Sequence, residues 1–429
     1  MIKDSIEVKF IYSACVLTTT PDISILHDPW FTEGIYDGSW FHFPKVKNPL
    51  KLIGDVDLIY ISHIHPDHYD PVFLKEYFET FGTKQILIAD RARNYLLNKI
   101  LSDGFTPRIL KEPMVVGKTT VQILPHDTNS NSDIDSSIIV QFVSKDDRKH
   151  CVVNTNDIVF DEVMLGKVKS AAEEIDILLC GFAGAGPYPQ IFFDLSDERL
   201  LVEASKKKEI FFERFKLLTD FMRAKICVPF AGQYILGGRL SRLNRFRGVA
   251  DAVEVTKLVP SAVVLSDKKG VIDTESLIPS RKRTKNYSKL RIRVREFELR
   301  NKKMSYESFF DKNVLRNYNF KKLFDIAAKN AVKNSECFED YFYCFKLPSD
   351  EFAVINANRN EKITFRMMPS NATLPIPRSE IVVDPRYLYG LLTGLYNWNS
   401  AEVGSQFSIR RFPNTFNRHV QRFLWHLNI

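Results

Sequence analysis

Short apolar segments alternate with longer amphipathic ones along the first 280 residues. Segments that are rich in Ile and Val and end in polar residues, Gly or Pro predict β-strands. They lie at 7–14, 23–28, 56–62, 85–90, 120–127, 136–143, 150–157, 175–182 and 225–232. Helices are predicted between them, near 70–81, 91–102, 161–171 and 197–223. Many strands mixed with helices predict a layered α/β domain.

The rest of the chain differs from this region. Residues 281–304 are dense in Lys and Arg but nearly lack aromatic residues, which favours a solvated linker over a nucleic-acid-binding arm. The residues that follow mix helical and strand patterns. We therefore predict an α/β domain at 1–280, a basic linker at 281–304 and a smaller α+β accessory domain at 305–429.

Composition narrows the class of protein. Of the 429 residues, 45% are hydrophobic and 26% are charged, which is typical of a globular protein. The formal net charge of +8 favours an anionic partner or substrate, although many basic proteins have none. The six cysteines form no Cys-x-x-Cys pair, which indicates free thiols in a reducing compartment. Since we find neither a signal-peptide core nor an apolar stretch of about 18 residues, we expect a cytoplasmic protein outside the membrane.

The sequence DLIYISHIHPDHYDP (57–71) places three of the nine histidines directly after an apolar strand. In an extended chain alternate side chains point the same way, so His63 and His65 share one side. Asp67 and His68 follow after a turn at Pro66 and can hold a second ion near the first. Imidazole and carboxylate suit zinc, iron or manganese. Packing these groups without a metal would be costly, so the cluster predicts a metal site.

The segment HIHPDH resembles the His-x-His-x-Asp-His motif of the metallo-β-lactamase superfamily. The resemblance implies that residues 1–280 form an αββα sandwich, with two mixed sheets inside, helices outside and the metal site at one edge. It also implies ligands after later strands, at VQILPHDTN and CVVNTNDIVF. In that scheme His63, His65 and His126 hold one ion, Asp67 and His68 hold the other, and Asp157 bridges them.

Carboxylates have further roles in this scheme. Asp28, in ILHDPWF, would orient a metal-bound histidine from behind. Asp67 and Asp157 would be the catalytic residues, since either can orient a metal-bound water. Simpler interpretations remain open: Asp28 and Asp157 also fit turns, and His126 fits a strand-end histidine bonded to a backbone carbonyl.

The last histidine of the superfamily scheme is missing. The matching strand end is KICVPFAGQY (225–234), which contains no histidine. Either the second site is incomplete, or Gln233 or a water completes it, so we expect two divalent transition metals or only one. An open coordination position is where water, dioxygen or substrate binds.

Several segments look like the metal-binding half of CMP-N-acetylneuraminate hydroxylases, over roughly residues 8–260. They are ILHDPWF, DLIYISHIHPDH, GFAGAGPYP and CVPFAG. Those hydroxylases normally begin with a Rieske iron–sulfur domain, which needs two pairs of Cys and His. Here Cys15 has no neighbouring histidine, and the first forty residues hold one cysteine. We therefore expect this chain to lack the electron-delivery module.

Three functions stay open. The first is an oxygen-activating hydroxylase or oxidase with an iron site, which takes electrons from a separate protein or from its substrate. The second is a hydrolase of a phosphoester, amide or lactone that uses a metal-bound water. The third is a metal-binding scaffold without catalysis. The missing histidine favours the first function, and the missing Rieske module favours the second.

Two segments suggest how a substrate is bound. The glycines of FAGAGPYPQ, Gly184 and Gly186, can bring backbone N–H groups close to an anion or sugar, although a plain tight turn is equally consistent. Arg239 and Arg242 are three positions apart, so they would share a helix face that suits phosphate or carboxylate. With Gln233, these residues predict an anionic small molecule as substrate, such as a nucleotide-sugar or a phosphorylated metabolite, rather than nucleic acid. For the C-terminal domain two roles remain, covering the active site or forming a homo-oligomer.

Overall fold

The computed structural model describes residues 4–127, 134–158, 160–267, 270–309, 318–361 and 364–429. The strands of the first 280 residues, in chain order, are β1 (Glu7–Tyr12), β2 (Cys15–Thr19), β3 (Ser24–His27), β4 (Trp40–Phe41), β5 (Leu58–Tyr60), β6 (Gln85–Ala89), β7 (Pro107–Leu110), β8 (Met114–Val116), β9 (Thr119–Pro125), β10 (Ser136–Val143), β11 (Lys149–Asn154), β12 (Ile177–Gly181), β13 (Ile226–Phe230), β14 (Ile235–Leu236) and β15 (Val271–Asp273). Later strands are β16 (Phe342–Lys346), β17 (Glu351–Asn356), β18 (Phe365–Pro369), β19 (Arg378–Val382) and β20 (Ser408–Phe412).

The helices connect and cover these strands. In chain order they are α1 (Ile35–Gly38), α2 (Pro49–Ile53), α3 (Pro71–Phe81), α4 (Tyr95–Ser102), α5 (Glu162–Ala171), α6 (Arg199–Met222), α7 (Ala252–Val255), α8 (Lys289–Leu299), α9 (Ser305–Phe309), α10 (Phe320–Asn334), α11 (Pro385–Leu392), α12 (Trp398–Val403) and α13 (Arg418–Phe423). Short 3-10 segments lie at Gly238–Phe246 and Leu424–His426. Within the described ranges, no helix combines the length and the apolar content that crossing a membrane requires.

Two large sheets pack face to face in the first 280 residues. Among the described strands, one sheet has the order β15-β1-β2-β3-β5-β6-β7 and the other β13-β12-β11-β10-β9-β8. Side chains alternate between the faces of each strand. In β3, Ile25 therefore faces the core between the sheets, whereas Leu26 faces the outer helices. Helices α3 and α4 cover the first sheet and α5 and α6 the second, so the predicted α/β sandwich is confirmed.

The parallel strands place several loops at one edge of the sandwich. Strands β3, β5 and β6 run parallel in one sheet, and β11, β12 and β13 run parallel in the other. Ligands of α/β proteins generally bind outside the carboxyl ends of such strands. The loops after β3, β5, β11 and β13 carry most of the residues that the sequence analysis singled out.

Each predicted strand and helix of the first 280 residues contains an observed element, but other strands were missed. The predicted strand 7–14 ends early, at a turn where Ser13 has a φ of 50°, and β2 then pairs back onto β1. In the stretch predicted as a basic linker, α8 buries the guanidinium of Arg295, which donates to the carbonyl of His42 at 3.0 Å and to Glu33. The limits of the three parts stay a prediction.

Residues 305–429, here called the C-terminal unit, contain a separate sheet. In the described residues its order is β18-β17-β16-β19-β20, with α10 to α13 packed around it. The hydrophobic core of this unit continues without a break into Trp30, Tyr36 and Trp40. The predicted additional C-terminal domain is therefore present, and its core is shared with the sandwich.

Candidate metal centre

The histidine loop, residues 61–70, joins β5 to α3 at the carboxyl end of a buried parallel strand. The N–H of His68 donates to the carbonyl of His65 at 2.9 Å, which closes the loop into a turn. Asp70 caps α3, since its carboxylate accepts from the N–H of Phe73 at 3.0 Å. Rigid elements thus hold the loop at both ends, as a precise site requires.

His63 and His65 face each other at this edge. Nε2 of His63 lies 2.9 Å from Nδ1 of His65, and the ring centroids are 4.7 Å apart. His63 is fully buried, and its other nitrogen lies 2.9 Å from the hydroxyl of Ser62. Nε2 of His65 is buried without a hydrogen-bond partner in the described part of the chain. The two rings therefore form one potential donor pair for a cation.

His68 forms the centre of a second donor group. Its Nε2 lies 3.5 Å from Oδ2 of Asp157 and 3.6 Å from Oδ2 of Asp67. Donor atoms of His63, His68 and Asp157 all lie within 4.8 Å of one another. The side chain of Asp157 is 37% exposed and that of Asp67 is 12% exposed, so the group opens to solvent on the Asp157 side. Five of the six predicted ligands are thus brought together.

Asp28 lies behind His68, where the sequence analysis expected a carboxylate. Its Oδ2 accepts from Nδ1 of His68 at 2.9 Å and from the hydroxyl of Ser62 at 2.6 Å, and its Oδ1 accepts from the N–H of Ser62 at 2.7 Å. Because Nδ1 of His68 donates to Asp28, Nε2 carries the lone pair of the neutral ring. That lone pair faces two carboxylates, which is repulsive unless a proton or a metal cation lies between them.

The charges of the cluster agree with this geometry. Burial lowers the pKa of His68, but the carboxylates of Asp157, Asp28 and Asp67 raise it well above its ordinary value. Burial lowers the pKa of both His63 and His65. A neutral pair of imidazoles therefore lies beside an anionic group that attracts a cation. Nitrogen and carboxylate donors in this combination fit zinc, iron or manganese.

His126 contacts a different carboxylate. Its Nε2 lies 3.3 Å from Oδ2 of Asp161, the N-cap of α5. Its role as a metal ligand therefore stays a prediction. Asp135, which the sequence analysis did not single out, contacts the cluster directly, since its Oδ1 lies 3.3 Å from Nδ1 of His63. Burial raises the pKa of Asp135 to about 7. Its position just before β10 was the only signal in the sequence, and that signal does not indicate a ligand.

A tyrosine from a distant loop reaches the second donor group. The hydroxyl of Tyr36 donates to Oδ1 of Asp67 at 2.6 Å. No sequence motif includes Tyr36, so its place at the cluster could not be predicted from the sequence. Gln233, the candidate to replace the missing histidine, is engaged elsewhere: its carbonyl accepts from the hydroxyl of Tyr12, and its side chain hydrogen-bonds Tyr287.

The predicted substrate-binding residues fall into two places. A Cβ at Gly184 would lie 2.0 Å from the ring of Phe211, so this glycine allows close packing. The carbonyl of Gly186 accepts from Nζ of Lys207 at 2.6 Å. Arg239 and Arg242 instead line a cavity of about 710 Å³ between the sandwich and the C-terminal unit.

Residues 7–179 match the family model described as the beta-lactamase superfamily domain. This stretch contains the five clustered ligands and Asp28. Over these residues the resemblance seen in the HIHPDH motif is confirmed, and the sandwich has the metallo-β-lactamase fold.

Curated relatives include two kinds of protein. A "Putative Rieske 2Fe-2S iron-sulfur protein" of Mycolicibacterium smegmatis is 30% identical over 178 residues, which are 39% of this chain and 32% of the relative. The cytidine monophosphate-N-acetylneuraminic acid hydroxylase of Mus musculus is 23% identical over 240 residues, 54% of this chain and 39% of the relative. The matched regions span less than half the length of these curated relatives.

Solved structures with a similar architecture include a diiron beta-hydroxylase from Streptomyces venezuelae. It is 15% identical, with a TM-score of 0.41 over 63% of this chain and 54% of the hydroxylase. An isothiocyanate hydrolase from Delia radicum gut bacteria is 14% identical, with a TM-score of 0.43 over 62% of this chain and 98% of the hydrolase.

Proposed function

We propose that this chain is a metal-dependent enzyme that uses dioxygen to hydroxylate or otherwise oxidise an anionic small molecule. The observation that carries the proposal is the buried imidazole of His68, whose Nε2 faces two carboxylates beside the paired rings of His63 and His65. Such a donor set favours two divalent transition metals. Oxidation is supported by the curated relatives, whose names refer to a hydroxylase and to iron–sulfur proteins.

Each residue of the cluster has a role in this proposal. His63, His65 and His126 would hold one ion, and Asp67 and His68 the other, with Asp157 between them. Bound iron with open coordination positions would supply the chemistry that dioxygen activation needs. Asp28 keeps the proton of His68 on Nδ1, so that Nε2 stays free to bind. Asp157, which is exposed to solvent, can orient a water or a substrate group.

The oxidative reaction needs a source of electrons. The relatives named as Rieske 2Fe-2S iron-sulfur proteins support a separate electron-transfer protein as the donor, and the substrate itself is the alternative.

Hydrolysis is the second candidate, because activation of a water by the same donor set needs no source of electrons. A bound divalent metal would supply a water whose pKa is lowered to about 7, which is the chemistry that hydrolysis of a phosphoester, amide or lactone needs. Asp67 or Asp157 would orient that water. The two candidates use the same donor set and differ in the metal and in the need for dioxygen.

The anionic substrate class is supported by the cavity that Arg239 and Arg242 line. Two carboxylates that also line it, those of Asp194 and Asp384, are paired with arginines outside the cavity lining. The two lining guanidinium groups are therefore in excess there, and guanidinium suits phosphate or carboxylate. We propose that this cavity receives the charged part of a nucleotide-sugar or another phosphorylated metabolite.

Elemental analysis of protein purified without oxygen tests the proposal. About two irons per chain, with turnover that consumes dioxygen, are expected for the oxidative enzyme. Zinc with turnover in the absence of oxygen would establish the hydrolase instead. A chain that takes up no transition metal, even with an excess of the cation, would contradict both.

The substitution His65→Ala tests the ligand assignment. It should remove metal and activity while the far-ultraviolet circular dichroism stays unchanged. His426→Ala, in the C-terminal unit, is the control and should keep full metal content. Full metal content in His65→Ala would show that the ligand assignment is wrong.

A further inference from the structure

Tyr36 connects the candidate metal centre to the C-terminal unit. Its side chain is buried, and its hydroxyl donates to Oδ1 of Asp67 at 2.6 Å. The other oxygen of Asp67, Oδ2, is the one that lies 3.6 Å from Nε2 of His68. The bond from Tyr36 thus occupies one carboxylate oxygen and leaves the other directed at the second donor group.

The backbone at Tyr36 has an unusual conformation. Tyr36 lies in the left-handed region, with φ 53° and ψ 52°, and the next residue, Asp37, has φ 61° and ψ 38°. Such a conformation is rare for a bulky side chain. It persists only where surrounding structure holds it, and it tends to occur at functional sites.

The C-terminal unit supplies the contacts that hold this turn. Nε2 of Gln406, a residue that is 1% exposed, donates to the carbonyl of Tyr36 at 2.9 Å and to that of Asp37 at 3.2 Å. The hydroxyl of Tyr387 donates to the carboxylate of Asp37 at 2.5 Å. Gly404 packs so closely that a Cβ there would lie 3.0 Å from the carbonyl oxygen of Tyr36. These contacts cross from the end of the chain to a loop of the sandwich.

We propose that Tyr36 is a positioning residue of the metal centre, held by the C-terminal unit so that its hydroxyl fixes the carboxylate of Asp67. The inference rests on the proposed metal-dependent function. It gives the C-terminal unit a role that requires no ligand from it: the unit sets the affinity for the ion that Asp67 and His68 would hold. The ion at His63 and His65 should depend on Tyr36 much less.

Cobalt titration of the metal-free, full-length chain tests this inference. Visible absorption reports the coordination of each Co²⁺ ion, and competition with a chelator gives its affinity. In Tyr36→Phe the ion at His63 and His65 should bind as in the wild type. The second ion, at Asp67 and His68, should bind about 10- to 100-fold more weakly, which is the usual loss when a group behind a ligand is removed. Gln406→Ala, which leaves Tyr36 itself intact, should weaken the second ion in the same direction.

Tyr341→Phe is the matched control, because it removes a buried hydroxyl that lies 2.7 Å from Ser379 within the C-terminal unit. It should leave both cobalt affinities and the absorption spectrum unchanged. If each of the two ions binds Tyr36→Phe as tightly as it binds the wild type, the inference is wrong and the proposed function still stands. A wild-type chain that binds no cobalt would overturn the proposed function and the inference with it.

Discussion

At the edge that carries the candidate metal centre, His63, His65, Asp67 and His68 lie within six consecutive positions of one loop. The core of the C-terminal unit is assembled from separate elements. The ring of Trp398 packs against Phe345 and Phe407, with centroids 5.8 and 5.9 Å away, and its Nε1 donates to the carbonyl of Leu427 at 2.8 Å. In the first region the candidate ligands are close together in the sequence. In the second region, folding brings together side chains that are distant in the sequence.

The buried residues of the two regions also differ in how they affect the stability of the folded state. At the edge, imidazoles and carboxylates lie buried in an arrangement that is unfavourable without a cation. In the C-terminal unit, the same depth of burial is filled by aromatic and aliphatic side chains, which favour the folded state. Substitutions at the edge should therefore act first on metal binding, and substitutions in the C-terminal core should act first on folding.

The largest expected effect on stability is that of Trp398→Ala. Trp398 is 1% exposed, and truncating a buried aromatic side chain costs about 3–5 kcal/mol of unfolding free energy. Because Phe407, which packs on Trp398, follows Gln406 in the chain, the loss should extend to the turn at Tyr36. Urea unfolding followed by circular dichroism measures the change.

Leu395→Ala is the control for this substitution. Leu395 is also in the C-terminal unit but 61% exposed, so its truncation should change the unfolding free energy by less than about 0.5 kcal/mol. Equal stability losses in the two variants would contradict the assignment of Trp398 to the core.

Asp28→Asn should lower the unfolding free energy less than Trp398→Ala does, but it should weaken metal binding more. Asparagine tolerates the φ of 40° that Asp28 adopts, so the backbone should stay in place. The amide has only one acceptor oxygen for three donors, from Ser62 and His68. We expect a cost of about 1–3 kcal/mol in unfolding free energy and a metal affinity lowered about 10- to 100-fold.

Chelator competition and urea unfolding measure both effects of Asp28→Asn. Asp22→Asn is the control, because Asp22 also accepts from a backbone N–H and a hydroxyl, those of Lys118 and Thr119, but away from the edge. Its metal affinity should equal that of the wild type. An unchanged affinity in Asp28→Asn would mean that His68 does not need this carboxylate.

The comparison also explains what the sequence could predict. The strand and helix patterns of the sandwich are local, and so is the histidine loop, so periodicity was enough for a layered α/β domain and one motif for four of the clustered ligands. The resemblance of that motif to a known superfamily supplied the αββα layers, Asp28 and Asp157, since local pattern alone also fits turns at both aspartates. Tyr36 and Asp135 could not be predicted, because only the tertiary fold brings them to the cluster.

The smallest expected effect concerns the pH dependence of stability. Each region contains a buried cationic side chain, and only the one in the sandwich should change its charge near neutral pH. In the C-terminal unit, Arg386 is paired with Asp384 at 2.8 Å. In the sandwich, Lys207 donates to the carbonyl of Gly186 at 2.6 Å, and burial, with the nearby guanidinium of Arg247, lowers its pKa from 10.5 to about 7. Between these two values the unfolded chain holds a proton on Lys207 that the folded chain has lost, so stability rises with pH.

Lys207→Met removes this titration. Below about pH 7 both states of the wild type carry the charge, and above about pH 10 neither does, so the difference between the proteins should change only within that window. From pH 8 to pH 9, the unfolding free energy of the wild type should rise by about 1.4 kcal/mol relative to Lys207→Met. Urea unfolding at each pH measures it. Lys206→Met, at a neighbouring position whose side chain is 59% exposed, should follow the wild type. Parallel pH profiles for the wild type and Lys207→Met would show that Lys207 stays charged in the folded protein and that its burial is compensated.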